Sequence, residues 1–267
     1  MKPIAVPTTA SPLLDAKDYA APSVFRADNL LREARRQKGL PAEPVPDVCV
    51  LDPDGDIVRL LRQERRAEPM LGWACYHTEL MVAVHGGVCF GLIGCAVGAS
   101  FAVLLAEQLF ASGCRLLLSV TSAGQIVPVG PTPYFVLIDR ALRDEGTSLH
   151  YLPPGAFAAA DRALADRAMA ALADRPCVRR GATWTTDAPF RETEAAVERA
   201  RSLGVLGVEM EAAALYAFAT SCRRPVLCFA HVTNQMAQVH GDFEKGEANG
   251  AIDALNLLAA VAKGCAS

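Results

Sequence analysis

The chain has 267 residues, 52% of them hydrophobic, and a formal net charge of −3. That is enough apolar surface for one large core, so one domain of about 220 residues with an N-terminal extension fits better than two. Acids and bases are interspersed without a basic stripe, which argues against a nucleic-acid partner. The nine cysteines are scattered and include no C-x-x-C pair. They read as buried thiols in a reducing compartment and not as a zinc site. The N-terminus lacks an apolar targeting core and no apolar run reaches the ~18 residues of a membrane span, so a cytoplasmic protein with no membrane partner is expected.

Residues 1–45 are rich in Pro and Ala and hold one expected helix, at 28–38, before Pro41, Pro44 and Pro46 interrupt the backbone. They are expected to pack as an extension on the main domain, residues 46–267, or on a neighbouring subunit. Arg32, Arg35, Arg36 and Lys38 form either a solvated helix face or a patch facing phosphate. A strand at 48–51 leads into Asp52-Pro53-Asp54-Gly55-Asp56, a turn by composition. Segments 80–84 and 88–93 flank His85-Gly86-Gly87 and read as a hairpin. A Gly-rich turn from Gly94 to Ser100 opens an apolar helix at 101–110. Small residues there, Gly98 among them, let backbone N–H groups approach an anion. The spacing is neither a dinucleotide fingerprint nor a P-loop.

A strand at 115–120 ends in the polar run Thr121-Ser122-Ala123-Gly124, whose hydroxyls either bind an oxyanion or close a turn. A strand at 134–138 leads to a loop at 139–154. An amphipathic helix at 161–172, a strand at 178–182 and a loop at 183–192 follow. An apolar strand at 226–232 ends in Thr233-Asn234-Gln235-Met236, and a last helix covers 247–262. Strands and helices alternate from residue 80 onward, which makes the fold α/β.

The stretch 203–220 concentrates the chemistry. Residues 205–208 form a short apolar strand bounded by Gly204, and from Glu211 onward the residues are strong helix formers, with Leu215, Phe218 and Ala219 at helical spacing. Glu209 and Glu211 therefore sit where a buried strand becomes a helix. An unpaired buried carboxylate costs several kcal/mol, so charge is seldom placed there for packing. The other reading is a helix N-terminus using acids against its macrodipole. A strand running to Glu211 would set both carboxylates on one side and Met210 on the other. A carboxylate so placed can accept hydrogen bonds from two vicinal hydroxyls, as a ribose diol offers, while Met210 packs on the sugar face.

Gly207-Val208-Glu209-Met210-Glu211-Ala212-Ala213-Ala214 resembles the signature of the nucleoside phosphorylase superfamily, the fold of purine nucleoside and uridine phosphorylases and related nucleosidases. Gly94 to Ser100 resembles that family's Gly-Met-Gly-x-Pro-Ser segment, with Glu107 as the acid of the following helix. Residues 145–151, with Gly-Thr-Ser-x-x-Tyr, resemble a uridine-phosphorylase-like branch and offer His150 and Tyr151 to a pocket. Ser119 to Gly124 stands where the family has Arg-x-Gly-(Ser/Thr)-x-Gly. Ser122 and Gly124 match, Ser119 takes the Arg position and Thr121 the first Gly. Asp52 to Ile57 stands at a Gly-Asp-Pro-x-x-Arg phosphate loop without its arginine; Arg59 is displaced from it. Asn234 stands where purine phosphorylases and nucleosidases carry an aspartate that protonates the base; pyrimidine phosphorylases lack that aspartate as well, so the resemblance inclines toward a pyrimidine-type leaving group.

The resemblance spans residues 48–262 and implies a single-domain three-layer α/β/α fold with a mixed, partly barrel-like central sheet. It implies N-glycosidic bond cleavage in a nucleoside, with phosphate as co-substrate and no metal or organic cofactor. Glu211 would hold the ribose hydroxyls beside Met210 and Glu209, and Ser122 would serve the nucleophile side with Thr121, Gly98 and Ser100. Phe190 would stack on the base, which needs only a flat apolar face; Arg191 would donate to a pyrimidine carbonyl or pair with Glu192 or Glu194; Asn234 would lie near the leaving group. The family's dimers, trimers and hexamers imply a homo-oligomer, in which a neighbour's Arg26 or Arg32 would supply a cation. The missing arginines leave water as the alternative nucleophile, and a non-catalytic nucleoside binder is the second class of function.

Overall fold

In the computed structural model, which describes residues 11–15, 17–175, 177–236 and 240–265, the alternating pattern becomes ten strands and seven α-helices among the described residues. Helix α1 (Ala27–Lys38) buries Leu31 and Ala34 and stops at Gly39, whose left-handed φ of 65° suits a C-terminal glycine. Strand β1 (Val48–Asp52) delivers Asp52 into the acidic turn. There its carboxylate accepts the Gly55 N–H at 3.1 Å and the Val58 N–H at 2.9 Å. Those bonds satisfy donors at the start of α2 (Asp56–Gln63), a helix hidden in the sequence behind the turn signal. Strands β2 (Ala67–Pro69), β3 (Met81–His85) and β4 (Val88–Gly94) form a meander. Gly86 and Gly87, both at positive φ, make the two-residue hairpin between β3 and β4.

Helix α3 (Ala99–Ala111), strands β5 (Leu116–Gln125), β6 (Tyr134–Asp144) and β7 (Phe157–Ala159), and helix α4 (Arg162–Ala171) follow. Asp161 caps α4 by accepting the Leu164 N–H at 2.8 Å. Then come β8 (Val178–Thr186), α5 (Glu194–Ser202), β9 (Val205–Glu209), α6 (Ala212–Cys222), β10 (Val226–Asn234) and α7 (Ala251–Cys265).

The sheet order is β10-β6-β8-β9-β5-β1-β4-β3-β2, with β7 on β6 and a further β10–β5 pairing. That pairing closes β10, β6, β8, β9 and β5 into a five-stranded barrel, from which β1, β4, β3 and β2 extend as an open sheet. Helices α3 and α6 bury their apolar faces on one side, and α2, α4 and α7 on the other. The result is a single mixed α/β domain of three layers, as expected. Among the described residues no helix is long and apolar enough to cross a membrane.

Three strands, β5, β6 and β8, run about four to six residues past their expected ends. The polar run 121–124 is not a turn: β5 continues through it because Thr121 to Gly124 pairs with β10, and Gly124 and Gln125 pair with β9. Likewise β6 and β8 pair as far as Asp144 and Thr186. Barrel closure gives each of these polar residues a neighbouring strand to satisfy its backbone groups, a partner that local composition does not reveal. Strand β7 and helix α5 were likewise absent from the pattern.

Candidate active site

Strand β9 stops at Glu209, and Glu211 is the residue before α6, at φ −129° and ψ −38°. Strand alternation therefore does not reach Glu211, yet both carboxylates are buried, at 3% and 1% exposure. Glu209 has both oxygens occupied. Oε1 accepts the Thr183 and Thr185 hydroxyls at 3.1 and 2.5 Å, and Oε2 accepts the N–H groups of Glu211 and Ala212 at 2.7 Å each. Within this chain Glu209 is the helix-terminal acid of the alternative reading: it builds the junction and has no oxygen left over for a substrate. This corrects its expected place among the substrate contacts.

Glu211 is held differently. Its Oε1 accepts the Gly98 N–H at 2.7 Å and its Oε2 the Met210 N–H at 3.3 Å, tying the β9–α6 junction to the turn before α3. Gly98 sits at φ 95°, a conformation that a side chain would strain. Burial, and then the charge of Glu209, push the Glu211 carboxyl from the usual 4.5 up to about 8; the Gly98 N–H and the Thr121 hydroxyl oppose the shift. Burial raises Glu209 as well, against its four donors. With those donors Glu209 is the better seat for the charge, so near neutral pH the pair keeps one proton, on Glu211.

Across the neighbouring strand, Ser122 lies in register with His231 of β10. Its Oγ donates to Asp54 Oδ1 at 3.0 Å. The other Asp54 oxygen accepts from Lys245 Nζ at 3.0 Å, and Lys245 also reaches Asp56 Oδ2 at 2.7 Å. Asp56 further holds Arg59 at 2.6 Å. Burial alone would raise the Asp56 carboxyl, but Lys245 and Arg59 bring it below its ordinary range. Burial raises Asp52 to about 7, with Asp54 and Asp56 adding to the shift. A cavity of about 20 Å³ opens among Asp54, Ser122, Thr121, His231 and Asn249, room for about one water. His231, 6% exposed and stacked on Phe135, is lowered to about 4 by burial and the Lys245 charge, so its imidazole is neutral. Among the described residues no group of three or more His, Cys, Asp or Glu is arranged to hold a metal ion.

Lys245, His231 and the role of Asp54 were missed in the sequence. Lys245 stands 191 positions from Asp54, and no motif joins the two; the only signal was an acidic turn without its arginine.

The remaining candidates scatter. Met210 is half-buried at the junction. Asn234 turns its amide inward: Oδ1 accepts the Met236 N–H at 2.8 Å and Nδ2 donates to Thr233 Oγ1 at 3.1 Å. Phe190, expected to cover a base, is 98% exposed and is not folded over a cleft of its own chain. Arg191 is exposed, and the pairing with Glu192 or Glu194 is not formed. Ser100 lies away from Ser122, in a groove of about 1050 Å³ between residues 18–30 and the surfaces of α3 and α6. His150 and Tyr151 line the same groove, with the Tyr151 hydroxyl donating to Glu107 Oε1 at 3.1 Å. Arg26 and Arg32 are engaged locally with Asp28 and Glu33.

A closed barrel within a mixed sheet, with a buried Glu-Met-Glu junction beside a serine-bearing strand, defines a class of α/β protein built around a polar strand-end site. The sequence profile described as the Phosphorylase superfamily matches residues 47–263, and the chain belongs to that superfamily. Among solved structures it is similar to uridine phosphorylase from Vibrio fischeri ES114. In complex with 6-hydroxy-1-naphthoic acid, that enzyme superposes with a TM-score of 0.68 at 18% identity, covering 86% of this chain and 94% of the other. A second structure of it gives 0.67 at 20% identity, covering 86% and 95%. At these identities the likeness is one of fold. No curated protein matches the chain.

Proposed function

We propose that the protein is an enzyme that cleaves the N-glycosidic bond of a nucleoside, with Glu211 gripping the sugar diol. The observation that carries this reading is the Glu211 carboxyl, 1% exposed, suspended between the Gly98 and Met210 N–H groups instead of serving α6. In the free protein Glu211 holds a proton; the sugar hydroxyls donating to its oxygens favour the ionised form, so binding of the diol releases that proton. As the base departs the ribose gains positive character, and the resulting carboxylate on its hydroxyls orients the ring and favours that charge. In this reading Met210 packs on the sugar and Ser122 with Thr121 serves the nucleophile side. Phe190 and Arg191, exposed in their own chain, meet the base in a homo-oligomer. Residues 46–267 form the catalytic domain and residues 1–45 an extension. Asn234 offers no titratable proton, which favours a pyrimidine-type leaving group.

The superfamily name suggests phosphate as nucleophile, but the surroundings of Ser122 favour water. Lys245 is already shared by Asp54 and Asp56. A phosphate dianion about 4 Å from a carboxylate meets roughly 4 kcal/mol of repulsion per charge pair at an effective dielectric of about 20. Water attacking the anomeric carbon gives free sugar, while the glycosidic electron pair leaves with the base, which takes up a proton. Uridine and inosine incubated with and without phosphate test the reading: free ribose in both conditions is expected. Ribose 1-phosphate formed only with phosphate would restore phosphorolysis, and a ligand-dependent thermal shift without turnover would make the protein a binder.

A further inference from the structure

We propose that Asp54 is a specificity-determining residue that excludes inorganic phosphate by placing its own carboxylate on the donors that would otherwise hold the anion, Ser122 and Lys245. The inference rests on the reading of Ser122 as the nucleophile side. One Asp54 oxygen accepts from Ser122 Oγ at 3.0 Å and the other from Lys245 Nζ at 3.0 Å. A hydroxyl and an ammonium on two sides of a small oxyanion make an anion-binding arrangement, and here the anion is a side chain.

The three acids of the turn are not equivalent. Asp52 is committed to the Gly55 and Val58 N–H groups that start α2. Asp56 is committed to Arg59 and Asn249 as well as Lys245. Asp54 caps nothing. Among the described residues its carboxylate has only Ser122 and Lys245, and its side chain is 28% exposed, so it lies on the open side of the turn. The wall opposite supplies a second, independent observation. The His231 side chain is nine-tenths buried and faces the same small cavity, and its ring makes no hydrogen bond among the described residues. Hydroxyl and ammonium thus meet at Asp54, and the imidazole faces the small cavity beside it.

With the carboxylate removed, a phosphate oxygen can take its place and attack the anomeric carbon. The new C–O bond forms as the C–N bond breaks, and the electron pair leaves with the base, which is protonated from solvent. The test uses the full chain as wild type, Asp54→Ala, Asp54→Asn and Asp54→Ala/Lys245→Met, with Asp166→Asn as a surface-charge control. Inorganic phosphate is titrated calorimetrically, and ribose 1-phosphate from uridine is measured in parallel. The expected result is phosphate binding tightened at least about tenfold in Asp54→Ala, unchanged in Asp166→Asn, and lost again in the double variant. Sugar phosphate should appear in the Asp54 single variants alone, not in wild type, Asp166→Asn or the double variant. If Asp54→Ala does not fold, Asp54→Asn, which keeps the shape and removes the charge, decides the matter. Equal phosphate affinity in wild type and folded Asp54 variants overturns the proposal. Absence of nucleoside cleavage in every protein, with the affinity change still present, would instead overturn the enzymatic reading and leave the anion exclusion standing.

Discussion

Glu211→Gln removes one buried ionisable group while keeping its shape and an oxygen for the Gly98 N–H. In the wild type, burial and Glu209 raise that carboxyl from 4.5 to about 8. An acid raised by folding binds its proton more tightly in the folded state. Between pH 4.5 and 8 the native protein therefore holds a proton that the unfolded chain has lost. Stability is full below pH 4.5, falls as pH rises, and levels off above about 8. At about 1.4 kcal/mol per tenfold, the gap sets a ceiling of about 5 kcal/mol, or roughly 10–20 °C in Tm for a domain of this size. Thermal melts from pH 5 to 9 should show the wild type losing stability and Glu211→Gln losing much less. Near pH 5 the two should agree within about 1–2 kcal/mol, because the new amide N–H₂ meets the Met210 N–H instead of an acceptor. Activity should fall by about 10²–10³ in kcat/KM, from two charge-assisted hydrogen bonds to the sugar at about 1.5–3 kcal/mol each, partly retained by the amide oxygen. A variant with the wild-type pH slope would show that another group titrates. A variant with normal turnover would show that Glu211 does not hold the sugar.

Tyr216→Phe strips a fully buried hydroxyl that donates to the Ile138 carbonyl and accepts the Cys228 N–H at 3.0 Å. Leaving both backbone groups unpaired should cost about 2–4 kcal/mol, read as a drop in Tm with kcat unchanged. Phe190→Ala should leave Tm unmoved, within about 0.5 kcal/mol, since the ring is almost wholly exposed. A raised KM at constant kcat would mark its contact with the base in an oligomer, and an unchanged KM would remove it from the site.

Much of this architecture could be read before folding. The β9 strand, the α6 helix and the acids between them follow from a short apolar run meeting strong helix formers, and both carboxylates are buried as that junction requires. The hairpin at Gly86-Gly87 and the cap at Asp161 are equally local, because each rests on a conformational preference or hydrogen bond within a few residues. Polar residues at strand ends were misread, as at Thr121 to Gly124, because their backbone partners belong to strands far away in sequence.

The division of labour between Glu209 and Glu211 was beyond local reading. Both are glutamates two positions apart, and only the Thr183 and Thr185 hydroxyls on β8 and the Gly98 N–H before α3 set one as a structural clamp and the other as a candidate sugar ligand. The nucleophile side was decided the same way. The sequence by itself determined a missing arginine and an acidic turn. The tertiary structure brought Lys245 from the far end of the chain onto Asp54 and Asp56, since closing the barrel carries the segment after β10 over the end of β1. Charges separated by nearly two hundred residues interact through space, and only the folded chain sets that distance.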